Sequence, residues 1–286
     1  MSETTRSVPV TAIVLTYNEE KNLRDCLNSL ASWVQDIFVV DSGSTDATRE
    51  IARSHGARVV EHGFDDYGTQ RNWALASLPI ETPWVLNIDA DERVSPELRA
   101  AIERVTANRD SPVLGYLIAR RTMFMGQWIK HGGHYPVWHL RLFRTGRGRC
   151  EPRLYDQHFV VEGRVEKLSG DLIDVLTSDI ATFSVRHIRW ATLEAREQEE
   201  RANREQQVEG RFFGGNPIQR RRRLRAGYGR APLFIRVFAY FLYRYIIRLG
   251  FLDGRAGFIF HFLQGCWYRF LVDALIYERR SAGQSR

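Results

Sequence analysis

The sequence predicts an α/β fold, a mostly parallel sheet with helices on both faces, followed by amphipathic helices at the C-terminal end. Three observations predict it. Apolar, β-branched runs of strand length alternate with helical patterns from Val10 to about Arg99. Three of those runs deliver acids to their own C-terminal ends, at Glu19, at Asp41 and at Asp89/Asp91. Beyond Pro232 the chain becomes dense in Phe, Tyr, Ile, Leu and Trp, interrupted by Arg.

The first run, Val10–Thr16, stops at Tyr17-Asn18-Glu19-Glu20, where Asn18 or the acids can open a helix that Leu23, Leu27 and Leu30 continue at helical spacing. Ile37–Val40 is the second strand. Its end, Asp41-Ser42-Gly43-Ser44-Thr45-Asp46, is a turn-rich loop that caps the helix through Ile51 to His55. Ala57–Glu61 reads as a third strand and Tyr67–Leu78 as a helix carrying Gln70, Arg71 and Asn72. The fourth strand, Trp84–Ile88, runs straight into Asp89-Ala90-Asp91-Glu92.

Open α/β sheets bind ligands outside the carboxyl ends of their strands. An Asp-x-Asp at such a point suits Mg or Mn, because these hard cations take one or two carboxylates and complete their shell with phosphate oxygens. Asp89 and Asp91 are therefore expected to hold a cation against a diphosphate, and Asp41 to accept hydrogen bonds from a base or ribose. The plain alternative is a surface loop ahead of a helix with Ser95 as cap and Pro96 in its first turn. No G-x-G-x-x-G follows the first strand and no Walker A sequence is present, which argues against a dinucleotide or P-loop site.

Taken together, Thr16-Tyr17-Asn18-Glu19-Glu20, Val40-Asp41-Ser42-Gly43-Ser44-Thr45-Asp46, Gln70-Arg71-Asn72 and Asp89-Ala90-Asp91-Glu92 resemble the family 2 glycosyltransferases of the GT-A fold. Their order and spacing are most similar to the subgroup containing lipopolysaccharide-core β-1,4-glucosyltransferases. The resemblance implies a nucleotide-sugar donor, by family default a UDP-sugar, held by Thr16, Tyr17, Glu19 and Asp41 with Arg71 near the diphosphate. It places Asp89 at the ribose and Asp91 at the metal. Members of the subgroup often carry a His-Glu pair where this chain has Asp156-Gln157. Inverting transfer still requires a base for the acceptor hydroxyl, worth about 10²- to 10⁴-fold. Asp156 is the first choice, with Glu151 and Glu92 behind it.

Val113–Arg144 reads as further strands around a loop containing Gly126, Trp128, His131, Gly132, Gly133, His134, Tyr135, Trp138 and His139. Aromatic faces with polar tips suit sugar rings, so this is the expected acceptor side, against the alternative of a buried aromatic cluster. The histidines lack the Cys partners or helical i, i+4 pairing of a zinc site.

The charge is uneven: residues 201–286 hold 17 Arg and no Lys against 5 acids, a balance of +12, while the first 200 carry −5. Such asymmetry points to a polyanionic partner. Ala191–Val208 pairs opposite charges three and four apart, as a solvated connector would, and Arg220–Arg225 follows it. Leu233–Leu252 and Gly257–Tyr277 are long enough to span a bilayer. Arg236, Arg244, Arg248, His261, Arg269 and Asp273 interrupt them, which argues for helices lying in an anionic membrane interface, or for two core helices.

The expected organisation is a catalytic domain over 1–190, a charged helix and Arg-rich connector over 191–231, and an amphipathic helical hairpin over 232–286. Hydrophobic residues at 44% and charged ones at 26% exclude a disordered chain. Cys26, Cys150 and Cys266 show neither disulfide nor metal spacing, and Met1–Val8 lacks a signal-peptide core, so a cytoplasmic protein peripheral on the inner face of the cell membrane is expected. The expected partners are a nucleotide-sugar donor, a glycan or lipid-linked acceptor and an anionic membrane surface, with no nucleic acid. A nucleotidyltransferase acting on sugar phosphates and a noncatalytic basic nucleic-acid- or membrane-binding protein are the alternative readings.

Overall fold

The computed structural model describes residues 7–152, 157–176, 179–205, 227–229 and 231–284. Its elements fall into two compact units, Met1–Met123 with Pro136–Thr177, and Phe124–Tyr135 with Ser178–Arg286.

In the first unit, β1 (Val8–Thr16), β2 (Val34–Asp41), β3 (Arg58–Glu61) and β4 (Trp84–Asp89) are linked by α1 (Leu23–Asn28), α2 (Thr48–Ser54) and α3 (Tyr67–Ser77). These four strands pair in parallel, in the order β3-β2-β1-β4. Register sets Thr16 opposite Asp41 and Leu15 opposite Asp89, so the acidic ends finish level along one edge. Alternation does the rest. Val10, Ala12, Val14, Val39, Leu86 and Ile88 lie in one buried cluster with Leu23 and Leu27 of α1 and Ile51 of α2.

Beyond β4 come β5 (Glu92–Val94), α4 (Pro96–Ala107), β6 (Gly115–Phe124), β7 (Gln127–Trp128, of the second unit), β8 (Val137–Arg144), β9 (Gly148–Cys150), β10 (Phe159–Val161) and β11 (Val165–Leu176). The sheet continues past β4 as β8-β6-β11-β5, with β4–β8, β8–β6 and β11–β5 antiparallel. A parallel half that ends in acidic loops is thus extended by an antiparallel half that brings distant residues to the same edge. α4 starts as its sequence suggests, with the Ser95 hydroxyl accepting from Leu98 N at 3.2 Å and Pro96 in the first turn. Gly170 of β11 allows the close approach of this helix start, since a Cβ there would meet Leu98 N at 2.2 Å.

The second unit contains α5 (Ile180–Glu205), α6 (Ile235–Leu242), α7 (Gly254–Phe262) and α8 (Tyr268–Gln284), with π-helical turns at Tyr243–Ile247 and Leu263–Trp267. It departs from the expected division in two ways. One helix runs through the boundary expected at 190, and the segment expected to be solvated from Ala191 buries Ala191, Glu194 and Ala195. The reason is pairing with α8: Glu194 accepts from the Tyr268 hydroxyl at 2.7 Å and from Arg269 Nη1 at 2.7 Å. The loop Phe124–Tyr135 also belongs to this unit, because buried Asp253 accepts from His131 N at 2.9 Å and bonds His131 Nδ1 at 2.6 Å. Gly132 lies so close to the His261 ring that a Cβ would meet it at 2.2 Å.

All three cysteines are buried and free. No helix among the described residues is long and apolar enough to cross a membrane.

Candidate active site

The ends of β1 and β2 form one stitched platform. Asn18, in the left-handed region at φ 54°, accepts from Thr45 N at 2.8 Å and donates its own N–H to Ser44 Oγ at 2.8 Å. Glu19 N donates to Thr48 Oγ1 at 2.8 Å, and Glu20 N to Asp46 Oδ2 at 3.2 Å. Asp41 lies at the centre, fully buried, and accepts from Thr16 Oγ1 at 3.1 Å, Gly43 N at 3.1 Å, Ser44 N at 2.8 Å and Ser44 Oγ at 2.5 Å. With both oxygens engaged, Asp41 anchors the loop in this structure rather than standing open to a base or ribose. Tyr17, by contrast, is 60% exposed beside it.

The three motif residues of α3 do three different things. Gln70 bonds His62 Nδ1 at 2.6 Å and donates to Ser42 Oγ at 3.2 Å, tying the helix to the β2 loop. Asn72 both accepts from Cys150 N and donates to Cys150 O, docking β9. Arg71 donates to Asp89 Oδ1 at 3.0 Å and Oδ2 at 3.3 Å, its guanidinium lying over the Tyr67 and Phe159 rings.

At the end of β4 four carboxylates converge. Asp89 also accepts from Arg141 Nη2 at 2.7 Å, and the same nitrogen reaches Glu92 Oε1 at 2.8 Å. Glu92 Oε2 accepts Asp89 N at 2.9 Å. Asp174, aligned with Glu92 in the β11–β5 ladder, accepts from Thr122 Oγ1 at 3.2 Å and pairs with Arg120. The charges sort themselves accordingly. Burial pushes Asp89 up, yet Arg141 and Arg71 hold its carboxyl far below the usual range. Burial carries Glu92 up to about 7 although Arg141 opposes the rise.

Asp91 is different. Its carboxylate takes no hydrogen bond and no ion pair among the described residues, while burial and then Asp174, Asp89, Glu92 and Glu19 push its pKa well up. An oxygen ligand crowded by negative charge fits a hard divalent cation, whose charge would relieve the repulsion. Asp89, expected as its companion, accepts from Arg71 and Arg141. Among the described residues no group of three or more His, Cys, Asp or Glu could by itself hold a metal.

Arg141 and Asp174 are the site residues that sequence reasoning missed. The available signal was an arginine inside the apolar run Leu140–Phe143 and an aspartate inside Leu172–Val175, each a charge in a buried strand. Asp156 lies outside the described residues. Of the weaker base candidates, Glu92 is held between Arg141 and Asp89 N, and Glu151 accepts from His158 N at 3.2 Å.

The expected acceptor aromatics divide between the units. Trp138 and His139 belong to the first, with Lys167 Nζ 4.7 Å from the Trp138 ring and His139 stacked on His158. Trp128, His131, His134 and Tyr135 belong to the second, where Trp128 and Tyr135 meet edge to face at 5.0 Å.

The sequence matches the model of Glycosyl transferase family 2 over residues 11–160. The lipopolysaccharide core biosynthesis glycosyltransferase LpsC of Rhizobium meliloti (strain 1021) is 28% identical over 285 residues, 96% of this chain and 94% of its own length. An uncharacterized glycosyltransferase of Rickettsia typhi (strain ATCC VR-144 / Wilmington) is 36% identical over 118 residues, 41% of this chain and 40% of that protein. Among solved structures, the mannosyltransferase PcManGT from Pyrobaculum calidifontis, in complex with GDP-Man and Mn2+, aligns with a TM-score of 0.52 at 15% identity, covering 96% of this chain and 88% of that one. That likeness is one of fold, the Rossmann-like GT-A arrangement.

Proposed function

The chain belongs to glycosyl transferase family 2, and on that premise we propose that it transfers a sugar with inversion from a nucleotide-diphosphate donor, a UDP-sugar, to a membrane-associated glycan or glycolipid. The product would serve lipopolysaccharide or cell-surface polysaccharide synthesis, and the enzyme would work peripherally on the inner face of the cell membrane. The name of the Rhizobium relative supports the acceptor class. The observation that carries the donor reading is Asp91, the one member of the carboxylate group at the end of β4 that has neither a hydrogen-bond donor nor a cation among the described residues.

In this reading the β1–β2 platform receives the nucleotide, with Thr16, Tyr17, Glu19 and Asp41 as its binding residues. Asp41 contributes by holding Ser42–Ser44 in place, and Tyr17 offers an exposed ring face for a base. Arg71, fixed between two rings, supplies positive charge toward the diphosphate. Asp89 orients Arg71 and stands by the ribose, while Asp91 and Asp89 are the metal-side carboxylates. A bound Mg or Mn would offset the negative charge that builds on the departing diphosphate. The acceptor oxygen attacks the anomeric carbon from the opposite side, and its proton goes to a carboxylate that we assign to Asp156 on sequence grounds. Positioning of the two substrates supplies the rest of the rate.

Calorimetric titration of UDP into the protein, with and without Mn²⁺ and beside Asp91→Asn, tests the reading. Binding that needs both the ion and Asp91 is expected. Equal binding by the variant in either condition would remove the metal assignment, and no binding by the unaltered protein would remove the donor assignment.

A further inference from the structure

The second unit carries an apolar face that its own core leaves open. Ile235, Phe238, Leu242, Ile246 and Leu249 recur every three or four residues through α6 and the π-helical turn, with exposures from 46% at Leu249 to 69% at Ile235. Ile247, Phe251 and Leu252 are exposed as well, along the turn that leads into α7. Ring contacts make it continuous across three helices: Phe238 meets Phe270 of α8 at 6.5 Å, and Phe241 meets Phe262 of α7 at 6.1 Å. Monomeric proteins rarely leave so extended an apolar surface without a partner. Leu249 adds a second indication, being held at φ 59°, where glycine is favoured, yet it presents a half-exposed leucine.

The charge around this face identifies the partner. From Ala231 to Tyr277 the acids are Asp253 and Asp273, both buried. Asp273 is paired with Arg236, and Asp253 holds the His131 loop. Arg244 is also buried, its Nε donating to Gly132 O at 2.8 Å. The exposed charges of this stretch are therefore all positive, with Arg248 and Arg255 at the turn and Lys130 exposed on the loop that Asp253 fastens there. A second copy would set these cations against one another. An anionic phospholipid surface answers both features, taking aliphatic and aromatic side chains at its acyl boundary and guanidinium groups at its phosphates.

We propose that α6, its π-helical turn and α7 form a monotopic docking face that lies in the plane of an anionic bilayer, with Ile246–Leu252 as the inserting tip and Arg248, Arg255 and Lys130 at the phosphate level. This rests on the reading of a membrane-associated acceptor and adds the surface, the lipid class and the mode of attachment. The full chain, without nucleotide, is sedimented with vesicles of phosphatidylcholine alone or mixed with phosphatidylglycerol. Binding to the mixed vesicles is expected, weakened by salt and by on the order of tenfold in Arg248→Gln/Arg255→Gln. Ile247→Ser/Leu252→Ser should lose at least about tenfold as well, because apolar surface is withdrawn from the bilayer, with its thermal midpoint and UDP titration unchanged.

Failure of the folded, UDP-binding protein to sediment with anionic vesicles overturns the proposal, and so does retention of full binding by the Ile247/Leu252 variant. Salt-insensitive binding to phosphatidylcholine alone overturns the anionic assignment. Concentration-dependent self-association that the same variant abolishes assigns the face to a second copy instead. Loss of UDP binding with vesicle binding intact strikes the donor reading and leaves the docking face standing.

Discussion

Both units bury charge, and they do so in opposite ways. In the second, buried acids are matched to cations or donors: Asp273 has Arg236, Glu194 has Arg269 and Tyr268, and Asp253 has His131. At the end of β4 in the first, the acids outnumber what answers them, and Asp91 stands without a partner among the described residues. Balanced pairs hold helices in register; an excess of one sign among the described residues favours an added cation. Buried charges alone would mark neither region as functional, but the mismatch does.

The sharpest way to break the balanced side is Arg236→Ala, which strands Asp273 and should cost about 3–5 kcal/mol in chemical unfolding, as removal of one partner from a buried pair does. The unbalanced side predicts another pattern. Asp91→Asn should lower donor turnover at least ~100-fold, roughly 2.7 kcal/mol in transition-state terms, while the unfolding midpoint stays level or rises because repulsion is relieved. A fall in stability equal to that of Arg236→Ala would erase the distinction.

A third test uses pH. His187 is buried, its Nδ1 bonded to Phe183 O at 2.7 Å and its Nε2 to the Gln264 amide at 2.6 Å, and burial lowers its pKa to about 4. Its neutral form is the native one. The stability is fully present above the unfolded value of 6.5 and is lost as pH falls toward about 4, because the unfolded chain takes up the proton first. The loss should be on the order of 2–3 kcal/mol, read as a pH-dependent midpoint whose slope His187→Phe reduces; the slope that remains belongs to His261, which burial also lowers to about 4. The smallest effect belongs to Arg279→Ala, whose pair with Glu199 is open to solvent and should matter by less than about 0.5 kcal/mol.

The same contrast explains what was legible in the sequence. β1 to β4 could be read because their apolar runs are local and each ends in turn residues and acids. Asp89 and Asp91 could be placed at a strand end for the same reason. Arg141 could not, since its partners Asp89 and Glu92 lie about fifty residues away and meet it only after β8 pairs with β4. Asp41 was visible as a site residue, but its capture by Thr16, Gly43 and Ser44 depends on loop geometry that residue types alone do not encode. The Ala191 helix looked solvated because its charges pair at helical spacing, yet Glu194 turns inward to two partners on α8.

The hydrogen bonds that join Asn18 to Ser44 and Thr45, and Glu19 to Thr48, make two loops from different strands behave as one part. Replacements in the two loops should therefore not add: Asn18→Ala and Ser44→Ala, each disruptive alone, should together cost less than their sum, with a coupling of about 0.5–3 kcal/mol. Any attempt to reshape this platform, by selection or by design, has to change both loops at once, so intermediates with only one altered loop form a valley between two workable sequences.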